Sequence, residues 1–156
     1  MMLDSKKMGL DKAMRKIPVM EIIEDAREKL VSAIKLGLPF VVCMSNSATD
    51  FATTFNDDVL PTGEVKEGTA YFPKEVFVNG GVNLLGDEWM KKIFREKELE
   101  HGFAMSRSPD EFQVLITSKF SDEDYEEFLF PDGYGLHKPM SQYQVFSIKK
   151  ESKKED

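Results

Sequence analysis

The fold of this chain depends most on the run Phe112-Gln113-Val114-Leu115-Ile116-Thr117-Ser118-Lys119 and on the residues that lead into it. Branched apolar side chains concentrated in so short a run predict a β-strand. Before the run, residues 88–100 carry apolar side chains at three- and four-residue spacing, which predicts an amphipathic helix. Asp87 is placed to cap this helix and Gly102 to end it. The stretch 87–119 therefore predicts a helix followed by a strand.

The same order of elements occurs earlier in the chain. Residues 18–36 place apolar side chains on one helical face, and Gly37 follows as a stop signal. Residues 38–44 are apolar at consecutive positions, as expected of an inner strand that is covered on both faces. Two helix-then-strand units predict an α/β fold, which we expect to be a single-domain sandwich with a central mixed sheet flanked by helices.

Two further β elements and one short helix are predicted. An Asn-Gly pair at Asn79 separates the apolar runs of residues 75–85, and both residue types tolerate positive φ, so we expect an appended β-hairpin there. Ser121 and Asp124 have the spacing of a capping box that opens a short acidic helix. Residues 143–148 are rich in aromatic and branched side chains and predict a last strand.

Length and charge set the limits of the domain and of its partners. At 156 residues the chain has the size of one domain, which we place at residues 17–148. Residues 1–16 hold five basic and two acidic side chains and are expected to be a basic, partly flexible segment, with residues 149–156 as a charged tail. The net charge of −7 makes the body acidic, and an acidic body repels a phosphate backbone. Nucleic acid is therefore not expected as a partner.

The cellular location is predicted from features that the sequence lacks. No apolar run approaches the ~20 residues that cross a bilayer, and residues 1–16 lack the continuous apolar core of a secretory signal. Cys43 is the single cysteine, so no internal disulfide can form. We therefore expect a cytoplasmic protein without a membrane span. These features do not determine the oligomeric state.

Polar side chains follow both predicted central strands. Ser45, Asn46 and Ser47 come directly after residues 38–44, and Lys119 ends the later run. Ligands of open α/β sheets bind at the carboxyl ends of the strands, and hydroxyl, amide and ammonium groups suit an anion. These four residues are therefore the candidate site for an anionic metabolite. The same residue types also serve as ordinary strand ends and helix caps, which is the simpler interpretation.

The other reactive residue types do not form a recognised site. The neighbours of Cys43 are apolar, which is typical of a core thiol and unlike a nucleophile. His101 and His137 are too far from each other and from Cys43 to show metal-ligand spacing. No loop with the spacing of a phosphate-binding Walker A motif occurs. We therefore predict no catalytic residue, no metal and no cofactor.

Two stretches of the chain resemble parts of the AAA ATPase modules of dynein heavy chains and related ciliary AAA proteins. The stretches are Ala33-Ile34-Lys35-Leu36-Gly37-Leu38-Pro39-Phe40-Val41-Val42 and Asp110-Glu111-Phe112-Gln113-Val114-Leu115-Ile116-Thr117-Ser118-Lys119. The chain departs from that family because residues 38–44 lead into Ser45 and Asn46, where a Walker B strand needs an acidic pair to hold magnesium. The resemblance implies a reduced relative that binds partners and does not hydrolyse ATP.

Together these features predict a non-catalytic domain that binds a protein partner, and the resemblance places it in a cytoskeletal or ciliary assembly. The expected contact residues lie in and near the predicted hairpin and are Tyr71, Phe72, Phe77 and Asn79. The alternative is a small enzyme or sensor that binds an anionic metabolite at residues 45–47. A viral or phage accessory protein is a third interpretation that the residues allow.

Overall fold

The structure is a computed structural model that describes residues 1–56, 74–77, 89–99, 112–137 and 139–149. Within these residues the strands are β1 (Met2–Asp4), β2 (Phe40–Ser45) and β3 (Val114–Ser118). The α-helices are α1 (Ser5–Ala13), α2 (Val19–Leu36), α3 (Trp89–Ile93), α4 (Glu96–Leu99) and α5 (Tyr125–Leu129). Two short 3-10 helices are Lys74–Phe77 and Met140–Gln142. Helices and strands therefore alternate, and the α/β class is confirmed.

The described strands form one parallel sheet in the order β1-β2-β3. Val41 lies between Met2 of β1 and Leu115 of β3, so β2 is the central strand that the apolar run at residues 38–44 predicts. The expectation of a mixed sheet is wrong for this sheet, because all three strands run in the same direction. Strand direction depends on the crossover through α1 and α2, which the apolar pattern of one strand does not encode.

The first strand comes from residues whose composition suggests a tail. Residues 1–16 are expected to be a basic, partly flexible segment, whereas Leu3 of β1 and Met8 of α1 are buried in the core. The carboxylate of Asp4 accepts a hydrogen bond from the N–H of Lys7 at 3.1 Å and so caps α1. Composition misled here because a strand of three residues is too short to show an alternating pattern.

Helix α2 matches the helix predicted at residues 18–36. It ends at Gly37, whose φ of 64° is left-handed and whose N–H donates to the carbonyl oxygen of Ile34 at 3.1 Å. Its apolar face is buried and consists of Ile22, Ile23, Ala26, Leu30, Val31, Ala33 and Ile34. Each large aliphatic side chain that is buried contributes about 1.5–3 kcal/mol, so packing stabilises α2 more than helix propensity does.

The two faces of the sheet differ in burial. Phe40, Val42 and Met44 of β2 are fully buried on the face that belongs to the core. On the other face, the aligned residues Met2 and Leu115 are 63% and 47% exposed. The predicted sandwich with helices on both faces is therefore not confirmed, because this second face stays partly accessible to solvent.

The first half of the predicted hairpin has a different structure. Residues Lys74–Phe77 form a 3-10 helix in which Val76 and Phe77 are both buried. The prediction of a strand is therefore wrong for these residues, and the rest of the predicted hairpin, residues 78–85, lies outside the described residues. Consecutive apolar side chains fit a buried helical turn as well as they fit a strand, which explains the error.

The helix predicted at residues 88–100 is interrupted. Helix α3 ends at Ile93 and α4 begins at Glu96. The interruption has a local cause, because the carboxylate of Glu98 accepts a hydrogen bond from the N–H of Arg95 at 2.8 Å and caps the second helix. No helix within the described ranges is long and apolar enough to span a membrane.

The described residues after β3 confirm the predicted capping box in part and contradict the predicted last strand. The hydroxyl of Ser121 donates to the carboxylate of Asp124 at 2.8 Å, in a turn that precedes α5. The strand predicted at residues 143–148 is wrong. After the 3-10 helix Met140–Gln142 these residues have no ladder partner among the described strands.

Candidate functional site

The carboxyl ends of the parallel strands meet at one edge of the sheet. Ser45 ends β2 with a left-handed φ of 56°, and its carbonyl oxygen accepts a hydrogen bond from the N–H of Lys119 at 2.7 Å. The N–H of Ser47 donates to the carbonyl oxygen of Met44 at 3.0 Å and closes a turn through Asn46. The structure therefore brings together the four residues predicted to bind an anion.

Several polar groups at this edge are bonded to one another. The Ser5 hydroxyl donates to the carbonyl oxygen of Cys43, and the Thr49 hydroxyl donates to the carbonyl oxygen of Ser5, both at 2.9 Å. The Lys6 ammonium donates to Oδ1 of Asn46 at 3.2 Å. These bonds tie the start of α1 to the end of β2. Ser5 could not be singled out from the sequence, because it is fully buried within a charged segment.

This arrangement favours an architectural role for the strand ends. In open α/β sheets the ligand crevice forms where the strand order reverses, and the described sheet has the sequential order β1-β2-β3. The side-chain oxygen of Asn46 and the backbone oxygen of Ser45 already accept hydrogen bonds from within the chain. The residues predicted to bind an anion are therefore neighbours in the fold, but these oxygen atoms are used by the fold, and anion binding stays a prediction.

Cys43 lies on the partly accessible face of the sheet and is half-buried. Its sulfur accepts a hydrogen bond from the Thr117 hydroxyl at 3.5 Å, across the pair formed by β2 and β3. The prediction of a core thiol is therefore wrong, because alternation along β2 turns Cys43 away from the core. Within the described ranges, His, Cys, Asp and Glu side chains form no group of three or more that could hold a metal ion.

Phe77 was the one predicted contact residue that the structure describes. It is 6% exposed, and its ring centroid lies 4.7 Å from that of Phe51 and 5.8 Å from that of His137. The prediction that Phe77 contacts a partner is therefore wrong, because its side chain belongs to the core. The other three predicted contact residues, Tyr71, Phe72 and Asn79, lie outside the described residues.

A different apolar surface lies at residues 143–149, which we call the C-terminal segment. Three of its side chains contact the domain: the Tyr143 ring packs edge-on against Phe130 at 5.0 Å, and the exposed side chains of Ser147 and Lys149 both contact the Asp122 carboxylate. Phe146 and Ile148 are 82% and 98% exposed, and we call the surface that they form the outer face of the segment. The aromatic and branched residues of 143–148 predict a strand, and this apolar composition gives no signal for an exposed surface.

The Asp122 carboxylate anchors the C-terminal segment. The Ser147 hydroxyl hydrogen-bonds to it, and the Lys149 ammonium lies 3.2 Å from it. These two contacts hold the pKa of Asp122 below its usual range, so the carboxylate is charged at neutral pH. Burial at the other end of the segment raises the pKa of Tyr143 to about 12.

A buried charge cluster, which the sequence reasoning also missed, joins α2 to α4. The Arg27 guanidinium donates to both oxygens of Glu98 at 2.9 and 3.0 Å, to Glu24 at 2.6 Å, and to the carbonyl oxygen of Ile93 at 2.9 Å. Burial raises the pKa of both glutamates, but the bonds from Arg27 outweigh it and hold both pKa values below their usual range. The guanidinium is thus engaged on all sides, which indicates a structural role.

A scan against protein-family models and searches among curated proteins and solved structures find no match to this chain. The resemblance to AAA modules therefore stays a prediction.

Proposed function

We propose that this chain is a non-catalytic protein-interaction domain whose contact surface is the outer face of the C-terminal segment. The observation that carries the proposal is the exposure of Phe146 and Ile148, two residues apart in a segment that forms no helix or strand. Isolated exposed apolar residues are common, but a neighbouring aromatic and aliphatic pair on one face is typical of a contact site.

The energetics of burial support this proposal. Burying a Phe or Ile side chain contributes about 1.5–3 kcal/mol, so covering Phe146 and Ile148 together is a substantial gain. Within the described part of the chain, the backbone of residues 144–149 makes no backbone hydrogen bond. A segment outside any helix or strand, whose backbone makes no backbone hydrogen bond to the described residues, is suited to adding a strand to another sheet.

The anchoring of the segment supports the proposal in a second way. Tyr143 packs against Phe130 at one end, and Asp122 holds Ser147 and Lys149 at the other. A segment that is already held at both ends loses less conformational entropy when it binds than a free tail does. The outer face is therefore presented in a form that is ready for contact.

The proposed setting is a cytoplasmic assembly, cytoskeletal or ciliary, and its support is the resemblance of residues 33–42 and 110–119 to ciliary AAA proteins. The alternative, an enzyme or sensor for an anionic metabolite, has in its favour that Lys119 and Ser45 lie together. The internal bonding of the strand ends favours the interaction domain, because oxygen atoms used by the fold contribute less to a ligand.

Comparative capture from the native cell tests this proposal. The full chain is used as bait beside the double variant Phe146→Ser/Ile148→Ser and a control, Leu10→Ser/Leu36→Ser, which removes two exposed leucines elsewhere. We expect the control to retain the partner and the test variant to lose at least about tenfold in recovery, since ~1.4 kcal/mol of lost contact energy is tenfold in affinity. Equal recovery with both variants would contradict the proposed surface.

A further inference from the structure

We propose that two copies of this chain associate by reciprocal strand addition, in which the C-terminal segment of each copy pairs with the outer edge of β3 in the other. This inference rests on the proposed function, because it uses the same outer face of the segment. It goes further by naming the partner, a second copy of the chain, and the surface that receives the segment.

The outer edge of β3 is one half of the proposed contact. Gln113 accepts a hydrogen bond from the N–H of Phe40 at 3.0 Å, and Lys119 donates to Ser45 at 2.7 Å, so the odd-numbered residues bond to β2. In a parallel ladder the residues between them, Val114, Ile116 and Ser118, direct their backbone groups to the opposite edge. Among the described strands none pairs with that edge.

The C-terminal segment is the other half. Residues 144–149 are one residue longer than β3, form no helix or strand, and make no backbone hydrogen bond with the described chain. An unpaired edge strand is a template for pairing with another chain. Pairing would give both sets of backbone groups hydrogen-bond partners, and Phe146 and Ile148 would pack beside apolar side chains of β3 on one face of the enlarged sheet.

Position and charge favour a second copy as the occupant. Asp122, which anchors the segment, lies four residues beyond the end of β3, so the two halves of the contact are neighbours in the fold. Asp122 belongs to an exposed acidic cluster whose other members are Glu123, Asp124, Glu126 and Glu127. The segment ends in the basic residue Lys149, whose ammonium lies 3.2 Å from the Asp122 carboxylate. The basic end of one copy therefore complements the acidic turn of the other.

Each chain carries both the C-terminal segment and the edge of β3 that receives it, so two chains can form a closed dimer. In a two-fold arrangement the segment of the first copy meets β3 of the second, and the reverse contact follows by symmetry. The ion pair between Lys149 and Asp122 is then exchanged and made between copies. Exchange of identical contacts is a low-cost route to a dimer.

Sedimentation over a concentration series tests the association itself. We expect the mass to rise from 17.8 kDa towards about twice that value, and Phe146→Ser/Ile148→Ser to weaken association at least about tenfold. The control Leu10→Ser/Leu36→Ser should associate as the parent does. A parent chain that stays monomeric at millimolar concentration would overturn the inference. Capture of a different protein through Phe146 and Ile148 in that case would leave the proposed function standing.

A charge-reversal mixture tests whether the contact is made between copies. Asp122→Lys and Lys149→Glu should each weaken self-association on the order of tenfold. Each variant places like charges at both symmetry-related contacts. Mixing the two variants in equal amounts should restore the dimer, since opposite charges then meet at both contacts. A mixture no better than the separate variants would overturn the inference, because the ion pair would be confined to one chain.

Discussion

Replacing Arg27 with methionine is expected to lower the free energy of unfolding by about 3 kcal/mol. The change removes a fully buried guanidinium and leaves the carboxylates of Glu24 and Glu98 without their main partner. We expect a loss at the lower end of the range for broken buried ion pairs, because Glu24 keeps solvent contact and an ion pair with Arg95 at 3.0 Å. Urea denaturation of the full chain measures the change.

The unfolding of Arg27→Met and of the parent chain should be compared near pH 7, where the cluster of Arg27, Glu24 and Glu98 is fully charged. The pKa values of Glu24 and Glu98 are lower in the folded state than in the unfolded chain. Their contribution to stability is therefore complete above the unfolded pKa and is lost as the pH falls through the folded one. A matched control is Lys29→Met, which breaks the exposed ion pair with Asp25 and should cost less than ~1 kcal/mol. Equal losses in both variants would contradict a stabilising role for the buried cluster.

Gly135→Ala is the second change with a large expected effect, a loss of about 2–5 kcal/mol. Gly135 has a φ of 83°, where an L side chain costs about 1–2 kcal/mol. A Cβ there would lie 2.6 Å from the carbonyl oxygen of Leu129 and 2.9 Å from Cδ of Pro131, and such overpacking adds about 1–3 kcal/mol. Thermal and urea unfolding measure the loss.

The strain would act on a junction that joins distant parts of the chain. The carbonyl oxygen of Gly135 accepts hydrogen bonds from the N–H groups of Phe51 and Ala52 at 2.8 and 2.9 Å. Gly133→Ala is the control, because its φ of 84° is similar but a Cβ there meets nothing within 4 Å, so its cost should stay at about 1–2 kcal/mol. If the two variants were equally stable, the close packing at Gly135 would be disproved.

The elements predicted well from sequence are those with long, regular patterns. Helix α2 has an apolar face over five turns and a glycine stop, and its bounds follow from these signals. Strand β2 is a continuous apolar run, and its central position follows from that composition. In both cases one local signal and the tertiary environment favour the same structure.

The elements predicted poorly depend on contacts far away in sequence. Strand β1 has three residues and forms only because β2 supplies its ladder partners. Phe77 looked like an exposed strand residue, but its packing against Phe51 places it in the core. Residues 143–148 have strand-like composition without a neighbouring strand among those described. Short segments of this kind adopt the structure that their partners impose.

The candidate surfaces follow the same rule. The carboxyl ends of adjacent parallel strands meet by geometry, so the proximity of Ser45 and Lys119 could be predicted. The exposure of Phe146 could not, because apolar composition predicts burial. Arg27 did leave a signal, since it lies on the apolar face of α2 between Ile23 and Leu30. A charged residue at an inward position predicts a buried partner, and Glu98 is that partner.

Amide hydrogen exchange at residues 144–149 tests the central claim, that this segment is unpaired in the isolated chain and pairs with a partner. We expect these amides to exchange within seconds in the dilute chain, and at least about tenfold more slowly in the complex, as ladder hydrogen bonds form. Rates that are the same in both states, or protection already present in the dilute chain, would contradict the account.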